Sequence, residues 1–473
     1  MSDDSSSRTL ASQLRDELHR YSPGEKLPSS RALVERFGVS PVTVSRALAV
    51  LVADGLVVTR PGAGAYRAHP GAGETRTVDT SWQQVALTAQ DGHVALDASG
   101  VSANLAVPPP DVIAFNGGYL HPTLQPERAL AAALAAAARR PGAWERPPLA
   151  GLPALRSWFA RELGVTAAEV LVTGGGQAAV ATALRALARP GSAVLVESPT
   201  YPGALAAARA AGLRPVPVPA DAGGIRLDLL RDALTATGAK VVYCQPLFQN
   251  PAGAVLAPDR RGELLELVHA AGAFLLEDDW ARHLGHGGPL PAPLVADDPF
   301  GAVVHIGSLT KATSPNFRIA ALAARGPVLE RLRAVQVVDS FFVPRPLQEA
   351  TLDLVGAPAW PRHLRALSTG LRDRRDALAA ALRRDLPALA SATLPAGGHC
   401  LWTRLPAGTD ETALTTAALR AGVAVSPGRV YFAAEAPAPH LRLGFADTAG
   451  ADEITEGVRR LAVACAEVGV TVR

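Results

Sequence analysis

Lysine is scarce in this sequence. Of its 46 basic residues only three are lysines, Lys26, Lys240 and Lys311, so arginine supplies nearly every positive charge. Arginine cannot form an imine, because its guanidinium keeps its proton at any usable pH. A lysine retained among so many arginines is therefore a candidate for amine chemistry. An ordinary surface role suits Lys26 and Lys240, whereas the small, polar segment around Lys311 favours chemistry.

Cysteine is also rare, and long apolar runs are missing. The three cysteines are widely spaced and odd in number, which indicates neither a disulfide framework nor a metal cluster and suits a reducing cytoplasm. The polar, acidic start predicts no signal peptide. No apolar run approaches the ~20 residues that a membrane span requires. We therefore expect a cytoplasmic protein without a metal site.

The length of 473 residues predicts about three domain-sized units, or one small and one large domain. The net charge of +3 does not by itself indicate a nucleic-acid-binding protein, and 48% hydrophobic residues are ample for a core. We place a first domain at 1–68, a linker at 69–110 and a large domain at 111–473. The linker has little periodicity and ends in three prolines. Within it, Ser81 to Leu87 predicts a short helix that docks Trp82 on a neighbour.

The first domain shows three helical patterns followed by a hairpin. Apolar residues recur at helical spacing from Leu10 to Tyr21, and Ser29 can begin a second helix that ends at Gly38. Ser40–Pro41 supplies a cap and a first-turn proline for a third helix. Two strand-like runs around a turn at 61–64 follow. This order predicts a winged helix-turn-helix.

Small hydroxyls and arginines are grouped in this domain, mainly near the start of the third helix. Such residues suit phosphates and guanine edges in a major groove. We predict that Thr43, Ser45 and Arg46 lie on the exposed face of the third helix. The full set of predicted DNA contacts is Arg31, Ser40, Thr43, Ser45, Arg46, Arg60 and Gly64. A three-helix module for protein contacts is the alternative.

The segments Leu27–Leu33, Phe37–Leu48 and Leu51–Leu56 resemble the DNA-binding domain of the GntR family. The resemblance covers nearly all of residues 8–68 and implies binding to double-stranded operator DNA. One departure is Pro41, where many members of the family carry an arginine. The resemblance then implies that Arg46 takes over the DNA contact that an arginine at position 41 would make.

Beyond residue 110, apolar strand-like runs alternate with helical stretches. Strands are predicted at 170–173, 193–197, 215–218, 240–244, 274–277 and 303–306, with an alanine-rich helix at 178–188. This rhythm predicts an α/β fold with a parallel sheet. The last part, about 360–473, predicts a smaller α+β lobe.

Four polar motifs follow these runs in a fixed order: Gly174–Gln177, Asn250–Gly253, Glu277–Asp279 and Ser308–Arg318. A glycine-rich loop before a helix can approach an anion, and carboxylates at a strand's end lie where α/β sites form. The last motif offers a hydroxyl, an amine and a fixed cation, which a phosphorylated aldehyde needs for a Schiff base and its phosphate. Each motif alone is weak evidence for a functional site, but all four in this order are unlikely to occur by chance.

This order resembles the fold-type I aminotransferase superfamily, which uses pyridoxal 5′-phosphate (PLP), over about 111–473. The resemblance implies that Lys311 forms the Schiff base with PLP. It also implies that Ser308 and Arg318 hold the phosphate, helped by the backbone amides of Gly176 and Gln177.

The same resemblance assigns the ring and the substrate. Asp278 would pair with the ring nitrogen, Asn250 with the ring hydroxyl, and Tyr201 would flank the ring. Arg442 would bind an amino acid's α-carboxylate as a bidentate pair, the alternative being a surface arginine on a strand. Trp280 stands where the family commonly has a tyrosine, and its indole can donate but cannot act as a phenolate.

A GntR-type domain followed by an aminotransferase-like domain is the arrangement of the MocR family of transcriptional regulators. The resemblance implies a domain-swapped homodimer, in which each DNA-binding domain (the reader domain) packs against the large domain of the other subunit. It also implies that the protein senses an amino compound, or PLP itself, at Lys311. An active aminotransferase with a fused DNA-binding domain is the alternative, disfavoured by Trp280, and weak transaminase activity in a sensing domain lies between them. A repressor with a PLP-free dimerisation scaffold is disfavoured by the intact set of PLP residues.

Overall fold

The computed structural model describes residues 3–60, 63–69, 79–88, 97–391 and 393–470. The chain forms two units whose residues contact mainly one another, Met1–His93 and Val94–Arg473. The larger unit therefore begins inside the range 69–110 that the sequence predicted as a linker.

The smaller unit is a winged helix-turn-helix, as predicted. Its elements are α1 (Asp3–Glu17), α2 (Ser30–Phe37), α3 (Pro41–Ala53), β1 (Val57–Arg60), β2 (Gly64–Arg67) and α4 (Ser81–Thr88). The antiparallel strands β1 and β2 form the wing. Pro61 and Gly62 of the predicted wing turn lie outside the described residues.

The predicted caps set the ends of the two central helices. Ser29 accepts a hydrogen bond from the backbone amide of Ala32 at 3.2 Å, and Gly38 ends α2 with a φ of +64°. Ser40 accepts one from the amide of Thr43 at 3.1 Å, with Pro41 in the first turn of α3. Leucines and valines of these elements then pack into one small core.

Among the described residues, no single helix has the length and apolar character of a membrane span. In the described part of the chain, one pair of helices, α2 and α3, meets that test of length and composition when taken together, and the two are bent by 112°.

The predicted short helix at Ser81 is present as α4. Its Trp82 is 62% exposed, so the structure does not show the predicted docking of this side chain on any described neighbour. The larger unit starts with α5 (Ser99–Leu105) and β3 (Ile113–Ala114). Neither element was predicted from the sequence.

An eight-stranded sheet forms the centre of the larger unit. Its strands are β4 (Val170–Thr173), β5 (Ala193–Ser198), β6 (Arg214–Asp221), β7 (Gly224–Ile225), β8 (Val241–Cys244), β9 (Phe274–Asp279), β10 (Val303–Ser308) and β11 (Ala320–Ala323). Their spatial order is β4-β11-β10-β9-β8-β5-β6-β7. The run β10-β9-β8-β5-β6 is parallel, whereas β11 is antiparallel to both its neighbours. The predicted, mainly parallel α/β fold is confirmed.

Helices cover both faces of this sheet. They are α6 (Glu127–Ala138), α7 (Pro153–Leu163), α8 (Gly176–Leu187), α9 (Pro202–Ala210), α10 (Leu227–Thr237), α11 (Pro258–Ala270), α12 (Leu294–Asp297), α13 (Val328–Ser340) and α14 (Arg345–Gly356). Val194 and Leu195, adjacent in β5, are both fully buried but belong to separate hydrophobic clusters. Burial on both faces explains why these strands are almost continuously apolar.

The long helix α15 (Ala359–Asp385) leads into the smaller C-terminal lobe. The lobe's elements are β12 (Cys400–Arg404), α16 (Glu411–Arg420), β13 (Val423–Ala424), β14 (Ser426–Pro427), β15 (His440–Gly444) and α17 (Ala451–Glu467). Its three-stranded sheet has the order β12-β15-β14, and β13 pairs with β3. In this sheet Arg442 lies opposite Trp402 and Ser426.

Candidate active site

One pocket collects the predicted cofactor and carboxylate residues of the larger unit. The loops that supply most of them follow the carboxyl ends of the parallel strands, where sites in α/β proteins form. The predicted residues that line the pocket are Gly176, Gln177, Tyr201, Asn250, Asp278, Trp280, Ser308, Lys311, Arg318 and Arg442.

Lys311 follows β10 in a short 3-10 turn, and its amine points into the pocket. Its Nζ donates to the carbonyl of Gly118 at 2.6 Å and lies 3.8 Å from the ring centre of Tyr119. Burial, followed by the charges of Arg442 and Arg318, lowers the pKa of Lys311 to about 7. A large fraction of this amine is therefore neutral near pH 7, which is the nucleophilic form.

The first turn of α8 forms an anion site with Ser308 and Arg318. Gly175 has a φ of +98°, and a Cβ at this position would lie 2.5 Å from Nη2 of Arg318. A Cβ on Gly176 would lie 3.5 Å from that of Ser308. Backbone amides of a helix N-terminus, a hydroxyl and a guanidinium thus converge, which suits a phosphate.

Asp278, at the end of β9, is held by two donors. Tyr243 Oη donates to its Oδ2 at 2.5 Å, and Gln245 Nε2 donates to the same oxygen at 3.0 Å. Burial raises the pKa of Asp278 to about 6. A protonated ring nitrogen beside this carboxylate would favour its ionised form.

Gln245 connects this carboxylate to the Asn250 loop. Its side-chain carbonyl accepts from the backbone amide of Asn250 at 3.0 Å, while the backbone amide of Gln245 donates to Glu197 Oε2 at 2.8 Å. Burial raises the pKa of Glu197 to about 8. The two residues expected at the ring nitrogen and the ring hydroxyl are therefore positioned by one side chain.

Several buried polar atoms around the pocket have no partner among the described residues. They include Asn250 Oδ1, Trp280 Nε1 and Gln177 Oε1. Such atoms are costly unless a ligand or water satisfies them. Together with the anion site, the buried amine and Asp278, they fit the phosphate and ring substituents of PLP.

Arg442 is 2% exposed, so the alternative of a surface arginine is wrong. Its Nη1 donates to the carbonyls of Asn116 and Gly117 at 3.2 and 3.1 Å, and its Nη2 lies 3.1 Å from Nδ1 of His399. Burial, then the charges of Arg442 and Lys311, lowers the pKa of His399 well below its usual value. The neutral ring of His399 can therefore accept from the guanidinium, and it packs 4.6 Å from Trp280.

In the smaller unit, most of the predicted DNA contacts are exposed. Arg31, Ser40, Ser45 and Arg46 lie at exposed positions of α2, the α2–α3 turn and α3. The prediction that Thr43 is exposed is wrong, because Thr43 is 4% exposed. Its hydroxyl is 2.8 Å from that of Ser40, and it lies one turn before the buried Ala47 on the core face of α3.

The wing also carries its predicted contacts at the surface. Arg60 and Gly64 are exposed and are register partners on β1 and β2. The guanidinium of Arg60 lies 4.6 Å from the ring centre of Tyr66, and Gly64 has a φ of +109°. An exposed arginine at the wing suits contact with a DNA backbone.

Sequence reasoning missed several pocket residues. Gln245 precedes Asn250 in the same loop, and Tyr119 follows two glycines, so position alone gave a weak signal. Tyr243, which donates to Asp278 from β8 behind the pocket, was missed as well. His399 gave none, because its contact with Arg442 joins the residue just before β12 to the distant strand β15. Asn104 of α5 lies in the range predicted as a linker but lines the pocket.

Two family models match the chain. That of aminotransferases of class I and II matches residues 111–461, and that of bacterial regulatory proteins of the gntR family matches residues 6–66. These matches confirm the resemblance on which the PLP cofactor and the DNA-binding domain were predicted.

Relatives include both regulators and enzymes. The uncharacterized HTH-type transcriptional regulator YdcR of Escherichia coli is 30% identical over 438 residues, covering 90% of this chain and 92% of that protein. The 2-aminoadipate transaminase of Thermus thermophilus is 33% identical over 357 residues, 74% of this chain and 89% of the enzyme.

Among solved structures, the α-aminoadipate aminotransferase LysN of Thermus thermophilus matches with a TM-score of 0.76 at 31% identity. The match covers 82% of this chain and 99% of LysN, which was crystallised with N-(5′-phosphopyridoxyl)-L-leucine.

Proposed function

Because the chain belongs to the class I and II aminotransferase family and carries a gntR-type DNA-binding domain, the combination of MocR-type regulators, we propose that it couples transcription to an amino compound. Its cofactor is PLP, and it is a transcriptional regulator with an aminotransferase-like domain. We propose that Lys311 is the sensing residue, and that an amino compound or PLP itself is the signal.

The buried amine of Lys311 supports this most directly. When bound, PLP supplies an aldehyde that forms a Schiff base with an amine and a ring that withdraws electrons. Lys311 offers an amine that is partly neutral near pH 7, while Ser308, Arg318 and the first turn of α8 offer the phosphate site. Asp278 would hold a proton on the ring nitrogen, and Asn250 with Trp280 would face the ring substituents.

Arg442 would bind the carboxylate of an amino-acid signal. It lies in the same pocket as Lys311, so an amine and a carboxylate on one small molecule could reach both. A signal that reacts at Lys311 changes which contacts the pocket makes, and only such a difference can shift a two-state equilibrium. Tyr201 and His399 would then contribute to the walls of the site.

The sharpest test compares two lysine substitutions. We expect Lys311→Ala to abolish the visible Schiff-base absorption of the purified chain mixed with PLP. Lys240→Ala is the matched control, because Lys240 is exposed and donates only to the carbonyl of Ala271 at 2.9 Å among the described residues. An absorption band retained in Lys311→Ala and lost in Lys240→Ala would overturn the assignment.

An active aminotransferase is the second candidate, supported by the 33% identity to 2-aminoadipate transaminase. It predicts steady conversion of an amino acid and an oxo acid at ordinary enzyme rates, with no change in DNA affinity. A regulator predicts the opposite: a change in DNA affinity with slow or no turnover. Measuring both quantities on the same protein separates the candidates.

We also propose a cytoplasmic homodimer with exchanged reader domains that binds operator DNA. The three cysteines are all free and buried, which suits a reducing compartment. The exposed Arg31, Ser45, Arg46 and Arg60 would contact DNA, and Ser40 and Gly64 would shape the surfaces that carry them. Native mass spectrometry that gives only a monomer would contradict the dimer.

A further inference from the structure

The cations of the pocket hold three successive backbone carbonyls. Arg442 Nη1 donates to those of Asn116 and Gly117 at 3.2 and 3.1 Å, and Lys311 Nζ donates to that of Gly118 at 2.6 Å. The two groups to which we assign the signal's carboxylate and amine chemistry are thus bonded to one short segment of main chain.

That segment is in turn bonded to α5. The side-chain amide of Asn116 donates to the carbonyls of Ala103 and Ala106, at 3.1 and 3.2 Å. Carbonyls at a helix C-terminus lack partners within the helix, so such a donor stabilises the helix end. Asn116 therefore links Arg442 to the end of α5, through its main chain on one side and its side chain on the other.

A second route joins α5 to the same arginine. Asn104 donates to Tyr431 Oη at 2.8 Å and accepts from Ser426 Oγ at 2.6 Å. Ser426 is the register partner of Arg442 between β14 and β15, and the ring centre of Tyr431 lies 6.0 Å from the guanidinium. Asn104, in the last turn of α5, and Asn116, which bonds the end of α5, are thus both linked by hydrogen bonds to Arg442 or to its neighbours.

A carboxylate would compete for these donors. Arginine binds a carboxylate through two parallel, charge-assisted hydrogen bonds, which are roughly twice as strong as neutral ones. Nη1 of Arg442 is engaged by two neutral carbonyls, and its buried Nε has no partner among the described residues. A carboxylate that takes Nη1 in its bidentate pair must replace the Asn116 and Gly117 carbonyls there, which gives two distinct arrangements.

We propose that a carboxylate bound at Arg442 frees the Asn116–Gly118 segment and loosens α5, so that this helix reports the signal. This rests on the proposed function and narrows it: the signal is an amine that also bears a carboxylate. α5 is the first helix of the larger unit, and the DNA-binding domain precedes it in the chain. A change at α5 thus occurs at the end of the segment that joins the two domains.

Two stable conjugates that differ in one group test this on the full-length protein. N-(5′-phosphopyridoxyl)-L-alanine carries the carboxylate, and N-(5′-phosphopyridoxyl)ethylamine lacks it. We expect the alanine conjugate to speed hydrogen exchange of the α5 amides about fivefold or more over the ethylamine conjugate, since one net hydrogen bond changes an opening equilibrium several-fold. Equal exchange with both bound conjugates would overturn the coupling.

Variants separate the coupling from the pocket itself. In Arg442→Gln both conjugates should still bind, shown by fluorescence titration, but α5 exchange should no longer differ between them. In Asn104→Ala the helix should exchange faster without any conjugate and gain little from the alanine one. If neither conjugate binds the wild-type chain, the proposed function fails and the coupling with it, whereas binding without a change at α5 refutes only the coupling.

Discussion

At the scale of single residues, the proposed chemistry depends on lysine, a residue type that this sequence rarely uses. One of the three lysines is placed in a pocket beside two arginines, and its pKa falls to about 7. Composition indicated this residue before any contact was known, because no arginine could replace it. Composition could not indicate the residues that position the site, because Tyr243, Gln245 and His399 reach Asp278 and Arg442 only in the folded chain.

The lowered pKa of Lys311 predicts a pH profile. Its neutral fraction should rise about tenfold per pH unit below about 7 and then level off, whereas an ordinary lysine stays protonated to much higher pH. The rate of PLP attachment, followed by absorbance, should show the same bend. A model amine with an unperturbed pKa is the control, and a rate that keeps rising to pH 10 would contradict the assigned pKa.

Gln245 gives a second prediction at this scale. Gln245→Leu removes a donor to Asp278 and an acceptor for Asn250, so PLP affinity should fall about tenfold, the effect of one or two hydrogen bonds. Gln348→Leu is the control, because Gln348 is equally buried but bonds Leu152 and Val343 instead. Equal PLP affinity in both variants would remove Gln245 from the positioning role.

At the scale of helices and strands, regular patterns were predictable and short or mixed elements were not. The strands that flank the site were recognised because burial on both faces makes them apolar throughout. β11 was missed, since three of its four residues are alanines and its antiparallel place between β4 and β10 depends on distant pairing. α5 was missed because it is short and lies beside a proline-rich run.

At the start of α3, the hydrogen bonds of the capping residue Ser40 explain why the predicted exposure of Thr43 was wrong. Ser40 and Thr43 were both predicted to contact DNA, but Ser40 bonds the amide and hydroxyl of Thr43, whose side chain is buried. Ser40→Ala should therefore destabilise α3 by about 1 kcal/mol, seen as faster hydrogen exchange of its amides. Ser45→Ala, at an exposed position of the same helix, should leave exchange nearly unchanged, and equal effects would contradict the capping role.

At the scale of the whole chain, two family resemblances were sufficient to predict both domains and the cofactor, because each depends on residues grouped in sequence. The boundary between the units was harder to place. Few apolar residues distinguish a linker from a short docked helix, and the tertiary hydrogen bonds that join α5 to the larger unit leave no pattern in the sequence.

DNA binding provides the prediction at this scale. Arg46→Ala should weaken binding to a duplex selected from random sequence by the wild-type protein about tenfold or more, as expected for one specific contact, and leave PLP absorption unchanged. Arg36→Ala is the control, because Arg36 pairs with Glu17 at 2.7 Å. Affinity should also fall steeply with salt, as phosphate contacts require, and a flat response or an unaffected Arg46→Ala would refute groove binding.

The scarcity of lysine also has an analytical use. A protease that cleaves only after lysine can cut at three points, which yields one fragment of residues 241–311 and another of 312–473. Reduction of bound PLP with borohydride would make the third point resistant, and the two fragments would appear joined in a mass spectrum. The attachment site could thus be identified from an intact digest without sequencing a single peptide.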